Sequence, residues 1–229
     1  MAVKQIARGC FEISVGPVNV FLLESANGWA LIDTGFPASA ASILAAIQQL
    51  GKQPADIRHI IITHAHPDHI GSLAALKRAT GAAIYIHPLD AEIARAGGGF
   101  RPLTPAPGLM ANLMFRLFIR PPGPIEGAAT DHLINDGDVL PIAGGLTAIH
   151  TPGHCAGHLA FLWPQESVLF AGDTCGNLPR LGLSIVYEDL EVGRRSLAKL
   201  AKLDFAVACF GHGKAIQRDA SKQFRKRWQ

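Results

Sequence analysis

Short apolar runs broken by turn residues dominate the first thirty-four positions. Phe11-Glu-Ile-Ser-Val alternates, Val18-Asn-Val-Phe-Leu-Leu follows Gly16-Pro17, and Asn27-Gly28 precedes Trp29-Ala-Leu-Ile-Asp33. This pattern predicts an antiparallel meander with a tight hairpin at Asn27-Gly28. The period then changes: Ala40, Ile43, Leu44, Ile47 and Leu50 recur at helical spacing, and Gly51 is placed to end that helix. Residues 58–62 read as a buried strand, 71–79 as a helix, and 82–87 as another strand, after which Pro88 opens a helix. The second half repeats the style without a detectable sequence repeat. Residues 146–150, 158–163 and the run from Ser167 read as strands, and 189–203 as a helix with Leu190, Leu197 and Leu200 on one side. Residues 205–213 form a last strand and loop before a basic terminal helix. His132-Leu-Ile and Val139-Leu-Pro-Ile flank Asn135-Asp-Gly-Asp138, which predicts a second hairpin whose aspartates need no metal to explain them.

Between the halves, Gly97-Gly-Gly99 and the prolines at 102, 105, 107, 121, 122 and 124 bracket an irregular insertion, about 97–130. Within it Met110, Leu113, Met114, Leu117 and Phe118 share one apolar helical face, with Asn112, Arg116 and Arg120 elsewhere. Such a face belongs either to a helix packed on the core or to a hydrophobic lid or dimer surface. Long insertions flanked by Gly and Pro more often carry function, which favours a lid or pocket role. The 229 residues suit one domain, 1–229, built of two halves of about 1–125 and 126–229.

Composition narrows the setting. With 48% hydrophobic and 17% charged residues the chain is globular, and its net charge of +3 is too small to make nucleic acid the expected partner. Lys214, Arg218, Lys222, Arg225, Lys226 and Arg227 read as the solvated face of the terminal helix. Cys10, Cys155, Cys175 and Cys209 show no CxxC spacing, which suggests reduced thiols in a reducing compartment. The N-terminal residues lack the apolar core of a secretory signal, so a cytoplasmic location is expected. No membrane span is expected either, because the best stretch, 103–119, is broken by Pro105, Pro107, Asn112 and Arg116.

The chemistry gathers in residues 60–71, Ile-Ile-Ile-Thr-His-Ala-His-Pro-Asp-His-Ile-Gly. A β-branched strand ends in His64, His66, Asp68 and His69, with Pro67 expected to block helical continuation. Neutral imidazole and carboxylate suit zinc and neighbouring divalent metals. His64 and His66 lie on an extended segment and Asp68 and His69 follow the turn, so each pair can serve one ion. The device of strand end, glycine and ligand returns at His154, Asp173 and His212. Asp33 also ends a strand, and two roles stay open for it: a helix cap or turn residue, or a residue orienting a metal ligand. His87 and Asp90 are not counted as ligands, a His before Pro being more often a strand-end residue.

The order Asp33-Thr-Gly, His64-x-His66-x-Asp68-His69, Thr151-Pro-Gly-His154, Gly172-Asp173-Thr and Gly211-His212-Gly strongly resembles the metallo-β-lactamase-fold hydrolase superfamily across nearly the whole chain. The resemblance implies a four-layer αβ/βα sandwich, an α+β or α/β fold of two mixed β-sheets with outer helices. It implies a dinuclear site with His64, His66 and His154 on one ion, Asp68, His69 and His212 on the other, and Asp173 bridging. Zinc is the first expectation, and manganese, iron or cobalt is compatible with the same donors. The aspartate at 173 is similar to that of the hydroxyacylglutathione hydrolase, lactonase and RNase Z branches, whereas true β-lactamases of the superfamily do not use a bridging aspartate.

The expected reaction is hydrolysis of an ester, thioester or lactone in a small-molecule substrate, with hydroxide from metal-activated water as nucleophile and Asp68 orienting it or moving its proton. The apolar insertion suits a hydrophobic acyl group. The chain closes soon after His212 without the extension that holds glutathione in one branch. No tyrosine stands just after Asp173 as in many acyl-homoserine lactonases, Tyr187 being farther along. Alternative readings are β-lactam hydrolysis, an RNase Z-like phosphodiesterase and a mononuclear-iron persulfide dioxygenase. Oligomeric state is left open.

Overall fold

The computed structural model describes residues 2–119, 123 and 125–229, and of Phe118 only the backbone. Arg120, Pro121, Pro122 and Pro124 of the expected insertion, and the side chain of Phe118, lie outside the described residues. Along the chain come β1 (Ala2–Ala7), β2 (Cys10–Val15), β3 (Val18–Ser25), β4 (Gly28–Ile32), α1 (Ala40–Gln49), β5 (Ile57–Ile61), α2 (Pro67–Ile70), α3 (Leu73–Thr80), β6 (Ala83–Ile86), α4 (Pro88–Ala96), β7 (Thr104–Pro105), α5 (Leu109–Phe118) and β8 (His132–Leu133). The second part holds β9 (Val139–Leu140), β10 (Leu146–His150), β11 (Leu159–Trp163), β12 (Val168–Phe170), β13 (Cys175–Asn177), β14 (Leu181–Leu183), β15 (Val186–Tyr187), α6 (Leu190–Leu200), β16 (Val207–Cys209) and α7 (Ala220–Trp228).

Alternation sorts the side chains into three cores. In β3, Val20 and Leu22 face one way while Phe21 and Leu23 face the other; in β12, Val168 and Phe170 oppose Leu169. The first outer core joins β3–β5 to Ile43 and Ile47 of α1 and to Leu73 and Leu76 of α3. The inner core lies between the sheets, around Phe21, Ile32, Ile61, Phe161 and Phe170. The second outer core packs Leu169 and Ala208 against Leu197 and Leu200 of α6 and Phe224 of α7. Helix, sheet, sheet, helix is the expected αβ/βα sandwich. One sheet runs β1-β2-β3-β4-β5-β6-β8, and the other β16-β12-β11-β10-β9. Among the described residues no helix is long and apolar enough to cross a membrane.

Three local expectations change. Pro67 does not block a helix but opens α2 at its first position, where a missing N–H costs nothing. The helix expected over 71–79 starts only at Leu73, with Ser72 at its cap. The Asn135–Asp138 turn forms, with the Asn135 N–H donating to Asp138 Oδ2 (2.8 Å), but it does not close a hairpin. β8 pairs parallel with β6 in the first sheet and β9 pairs with β10 in the second, so the turn carries the chain between sheets. Asp131 draws β8 to the first sheet by accepting from the Ile84 N–H (2.7 Å).

Glu12 on β2 is the one residue of the meander whose chemistry opposes its place. It is 9% exposed, its Oε2 is buried without a hydrogen-bond partner among the described residues, and burial pushes its carboxyl above the ordinary value, Lys4 only partly offsetting this. A raised carboxyl in the folded state favours folding at low pH and loses that advantage as pH rises through the folded value. Glu12→Gln should therefore be more stable than the parent near pH 7 and equal to it near pH 4, by urea unfolding at both.

Candidate metal centre

The parallel segments of the two sheets aim five loops at one edge. β4 and β5 are parallel, so Asp33 and the 62–69 segment leave the first sheet together. β10 and β12 are each antiparallel to β11 and hence point the same way, and β16 is parallel to β12; their following loops carry His154, Asp173 and His212. Backbone bonds lock the edges: Leu159 N–H to Thr63 O (2.8 Å), Asn19 N–H to Gly211 O (2.8 Å) and Gly211 N–H to Gly172 O (3.0 Å). The single turn of α2 brings His69 back beside His64, their ring centres 4.1 Å apart.

All seven side chains singled out from sequence meet here. His64, His66 and His154 offer ring nitrogens within 4.8 Å of one another, as do the donor atoms of Asp68, His69 and His212. A third grouping, His64, His69 and Asp173, closes within the same limit and joins the two sets. His66 Nδ1 lies 3.0 Å from His154 Nε2. Two nitrogens on one tetrahedral zinc, each at roughly 2.0–2.1 Å, would stand about 3.3 Å apart. Asp173 Oδ2 is 3.1 Å from His212 Nε2, 3.6 Å from His69 Nε2 and 3.8 Å from His154 Nε2, and Asp68 Oδ2 is 3.2 Å from His212 Nε2. The Nε2 atoms of His64, His66 and His69 and Asp173 Oδ1 are buried without a hydrogen-bond partner among the described residues. Clustered buried polar atoms are costly unless something binds them, and nitrogen and carboxylate donors in this arrangement fit divalent cations.

The atoms behind the donors fix their tautomers. Asp33 is buried and sits at φ 63°, a left-handed conformation uncommon for a non-glycine residue. Its Oδ1 accepts the Thr63 N–H (2.8 Å), and its Oδ2 accepts from Thr63 Oγ1 (2.8 Å) and His69 Nδ1 (2.8 Å). Asp33 is therefore an orienting residue and not a helix cap. Because the Thr63 hydroxyl has given its one proton to Asp33, it accepts from His64 Nδ1 (3.0 Å), which leaves the Nε2 lone pair free. His154 Nδ1 donates to Val186 O (2.9 Å) with the same result, and His212 Nδ1 donates to Pro17 O (3.0 Å), which turns its Nε2 toward Asp68 and Asp173.

Sequence reasoning missed His158. It is fully buried, its Nε2 accepts the Asp173 N–H (2.9 Å), and its Nδ1 donates to Thr151 Oγ1 (2.8 Å), so it braces the Asp173 loop. Its place at the end of Thr151-Pro-Gly-His-Cys-Ala-Gly-His was the available signal, but spacing does not separate a ligand from a brace. Tyr187 does not face a substrate: it is buried, donating its OH to Thr174 O (2.8 Å) and accepting the Ser184 N–H (3.0 Å). His87 caps α4 and stacks on His150, ring centres 4.3 Å apart, away from the cluster. Cys155 and Cys175 are buried free thiols that burial pushes well above the ordinary range.

The two donor sets differ electrostatically. Burial, helped by neighbouring imidazoles, holds His64 and His66 well below the ordinary histidine value, and burial likewise lowers His154. These three are neutral at pH 7. Burial alone would lower His69 and His212 too, but Asp173 and Asp68 outweigh it, raising His69 with help from Asp33 and carrying His212 up to about 10. Despite burial, Asp68 is held low by His69 and His212, and Asp173 by His212 and His69. Without metal the second set is thus a protonated ion-pair network. Filling it should release about two protons at pH 7 while filling the neutral trio releases none, so the second ion's affinity should fall the more steeply from pH 8 to pH 6. Proton release during zinc titration in weak buffer checks this.

Gly211 touches the cluster directly. A Cβ there would collide with Asp173 Oδ1 and lie 2.7 Å from His69 Cε1. Gly211→Ala should cost the protein at least one metal equivalent with little loss of helix or sheet content, measured by elemental analysis beside circular dichroism.

A family model described as the metallo-beta-lactamase superfamily matches residues 13–212, a span that includes all seven side chains. The probable metallo-hydrolase YflN of Bacillus subtilis (strain 168) is 28% identical over 228 residues, 91% of this chain and 85% of that protein. The thioesterase pkgB of Emericella nidulans is 30% identical over 202 residues, 86% of this chain and 46% of that protein. Among solved structures, a HARLDQ-motif mutant of the metallo-beta-lactamase from Cronobacter sakazakii superposes with a TM-score of 0.73 at 27% identity, covering 93% of this chain and 81% of that one. The chain spans 46% to 85% of the length of such curated relatives, and less than two thirds of most of them.

Proposed function

The chain belongs to the metallo-beta-lactamase superfamily, and we propose that it is a dinuclear metal-dependent hydrolase of ester, thioester or lactone bonds in small molecules with a hydrophobic acyl group. The observation that carries this reading is the gathering of donor atoms from His64, His66, Asp68, His69, His154, Asp173 and His212 at one sheet edge, with His64 Nε2, His69 Nε2 and Asp173 Oδ1 buried and unpartnered among the described residues. His64, His66 and His154 would hold one ion and Asp68, His69 and His212 the other, with Asp173 between them. Zinc is the metal best suited to these donors, and manganese, iron or cobalt is compatible with them. When bound, two such cations supply Lewis acidity, lowering the pKa of water from ~15.7 toward neutrality and polarising a scissile carbonyl.

The chain's own residues supply the rest. Asp68 is ionised and its side chain is 23% exposed, so it can receive a proton from the attacking water and pass it to the leaving group. Asp33, Val186 and Pro17 keep the histidine lone pairs turned inward. The insertion lies beside the His154 side of the site: β7 pairs with β15, and the Ala106 N–H donates to Ile185 O (2.9 Å) next to Val186. Just beyond, α5 exposes Leu109, Met110, Leu113 and Leu117, an apolar surface suited to an acyl chain. The likeness to a thioesterase supports the same substrate class, and four buried free cysteines are in keeping with a reducing, cytoplasmic setting. The likeness to the Cronobacter enzyme favours β-lactam hydrolysis as the second reading.

A screen of the metal-replete protein against acyl thioesters, lactones, β-lactams and a phosphodiester should give turnover on thioesters or lactones that rises with acyl length. Turnover confined to β-lactams would replace the substrate assignment. Asp173→Ala should abolish turnover together with one metal equivalent, and Asp68→Asn should lower kcat by roughly 10²–10⁴. Activity retained in metal-stripped Asp173→Ala protein would overturn the reading.

A further inference from the structure

Asp90 and Arg101 lie outside the seven donors, yet they reach both loops that carry the neutral histidine trio. Asp90, 1% exposed near the start of α4, accepts through Oδ2 from the N–H of Ala65 (2.9 Å), which stands between His64 and His66. The same oxygen accepts from Cys155 Sγ (3.3 Å), the neighbour of His154. The carboxylate packs on Gly157 so tightly that a Cβ there would lie 2.9 Å from Asp90 Cβ and overlap the carboxylate itself.

Arg101, in the insertion, donates from Nη1 to Asp90 Oδ1 (3.0 Å) and to Glu188 Oε1 (3.3 Å), and from Nη2 to Leu89 O. Glu188 in turn accepts the Ala156 N–H at Oε2 (2.8 Å) and donates its own N–H to His154 O (3.2 Å). Phe100, beside Arg101, sets its ring edge-on to His66 with centres 5.1 Å apart. One guanidinium thus joins two carboxylates, and the unit fastens the 64–66 loop, the 154–157 loop and Glu188 into one body. No hydrogen bond joins Asp90, Arg101 or Glu188 to Asp68, His69 or His212: His69 is held by Asp33 and His212 by Pro17 O, while Asp33 reaches the trio only at His64, through Thr63.

We propose that Asp90, Arg101 and Glu188 form one positioning unit for the ion held by His64, His66 and His154, so that the insertion sets how tightly that ion is bound. The inference rests on the dinuclear reading above. Arg101 is suited to the task because its planar fork serves two carboxylates at once, and removing it leaves Asp90 and Glu188 facing each other without a counter-charge. A brace of the fold alone would weaken both ions together. A positioning unit weakens one.

Stepwise zinc titration of the metal-free full chain against a chromophoric chelator, repeated with cobalt(II) and read by its d–d absorption, separates these outcomes. Arg101→Gln should weaken one of the two ions by roughly 10- to 100-fold, the range typical of residues behind a metal ligand, and shift the absorption of that ion alone. The other ion should hold within about threefold, and Arg101→Lys should recover part of the loss. His212→Ala, as a reference, should weaken the ion that Arg101→Gln spares. Arg101 is partly exposed, so its variants fold where Asp90→Asn would be at risk. Equal weakening of both ions, or no change in either, overturns the proposal while the dinuclear reading stands. A parent protein that binds no metal overturns both.

Discussion

The geometry of the cluster depends on one buried carboxylate. Asp33 ends β4 in a left-handed conformation, a strain of about 1–3 kcal/mol that three hydrogen bonds offset. Through them it joins the end of one strand to the turn after the next and orients His69. Through the Thr63 hydroxyl it also dictates the tautomer of His64, a residue it does not touch. Two donors, one aimed at each proposed ion, therefore take their orientation from a single side chain. The neighbouring Thr34 completes the arrangement, its N–H and its hydroxyl both donating to His69 O.

Around that anchor the site divides by charge. Burial among other imidazoles keeps His64, His66 and His154 neutral, so their lone pairs are ready for a cation. His69 and His212 face Asp68 and Asp173, and without metal that half satisfies its carboxylates with protons. Asp33 serves both halves, but other supports serve one: carbonyl oxygens fix His154 and His212, His158 braces Asp173, and the Asp90–Arg101–Glu188 unit gathers the loops of the neutral trio. Two sheets that each deliver loops to a shared edge make such division natural, because each loop can be braced by whatever lies beneath its own strand.

Much of this was legible in the chain. Short apolar runs marked β3, β4, β5, β10 and β12, and a tight hairpin formed one residue earlier than expected: Ala26 and Asn27 make its loop, and Gly28 already pairs with Ser25 in the strand. A ligand-capable residue beside glycine at the end of an apolar run located His154, Asp173 and His212, because strand, turn and donor type are all local properties. Less legible was anything that depends on partners distant in sequence. The Asn135–Asp138 turn separates two sheets because Asp131 holds β8 to β6. His158 carried no assigned role in the sequence, and only its neighbours show that both its nitrogens are in use.

By itself the sequence determined where strands end, which donors stand there and in what order, since period, turn chemistry and side-chain type are written within a few residues. The tertiary structure alone decided that those ends meet at one edge, that Asp33 orients His69 and, through Thr63, His64, and that an arginine of the insertion ties the 64–66 and 154–157 loops together. The physical reason is that a buried hydrogen bond or ion pair is specified by the packing around both its partners. Asp33 and His69 stand 36 positions apart, Arg101 and Glu188 87, and no local pattern records which distant group a side chain will meet.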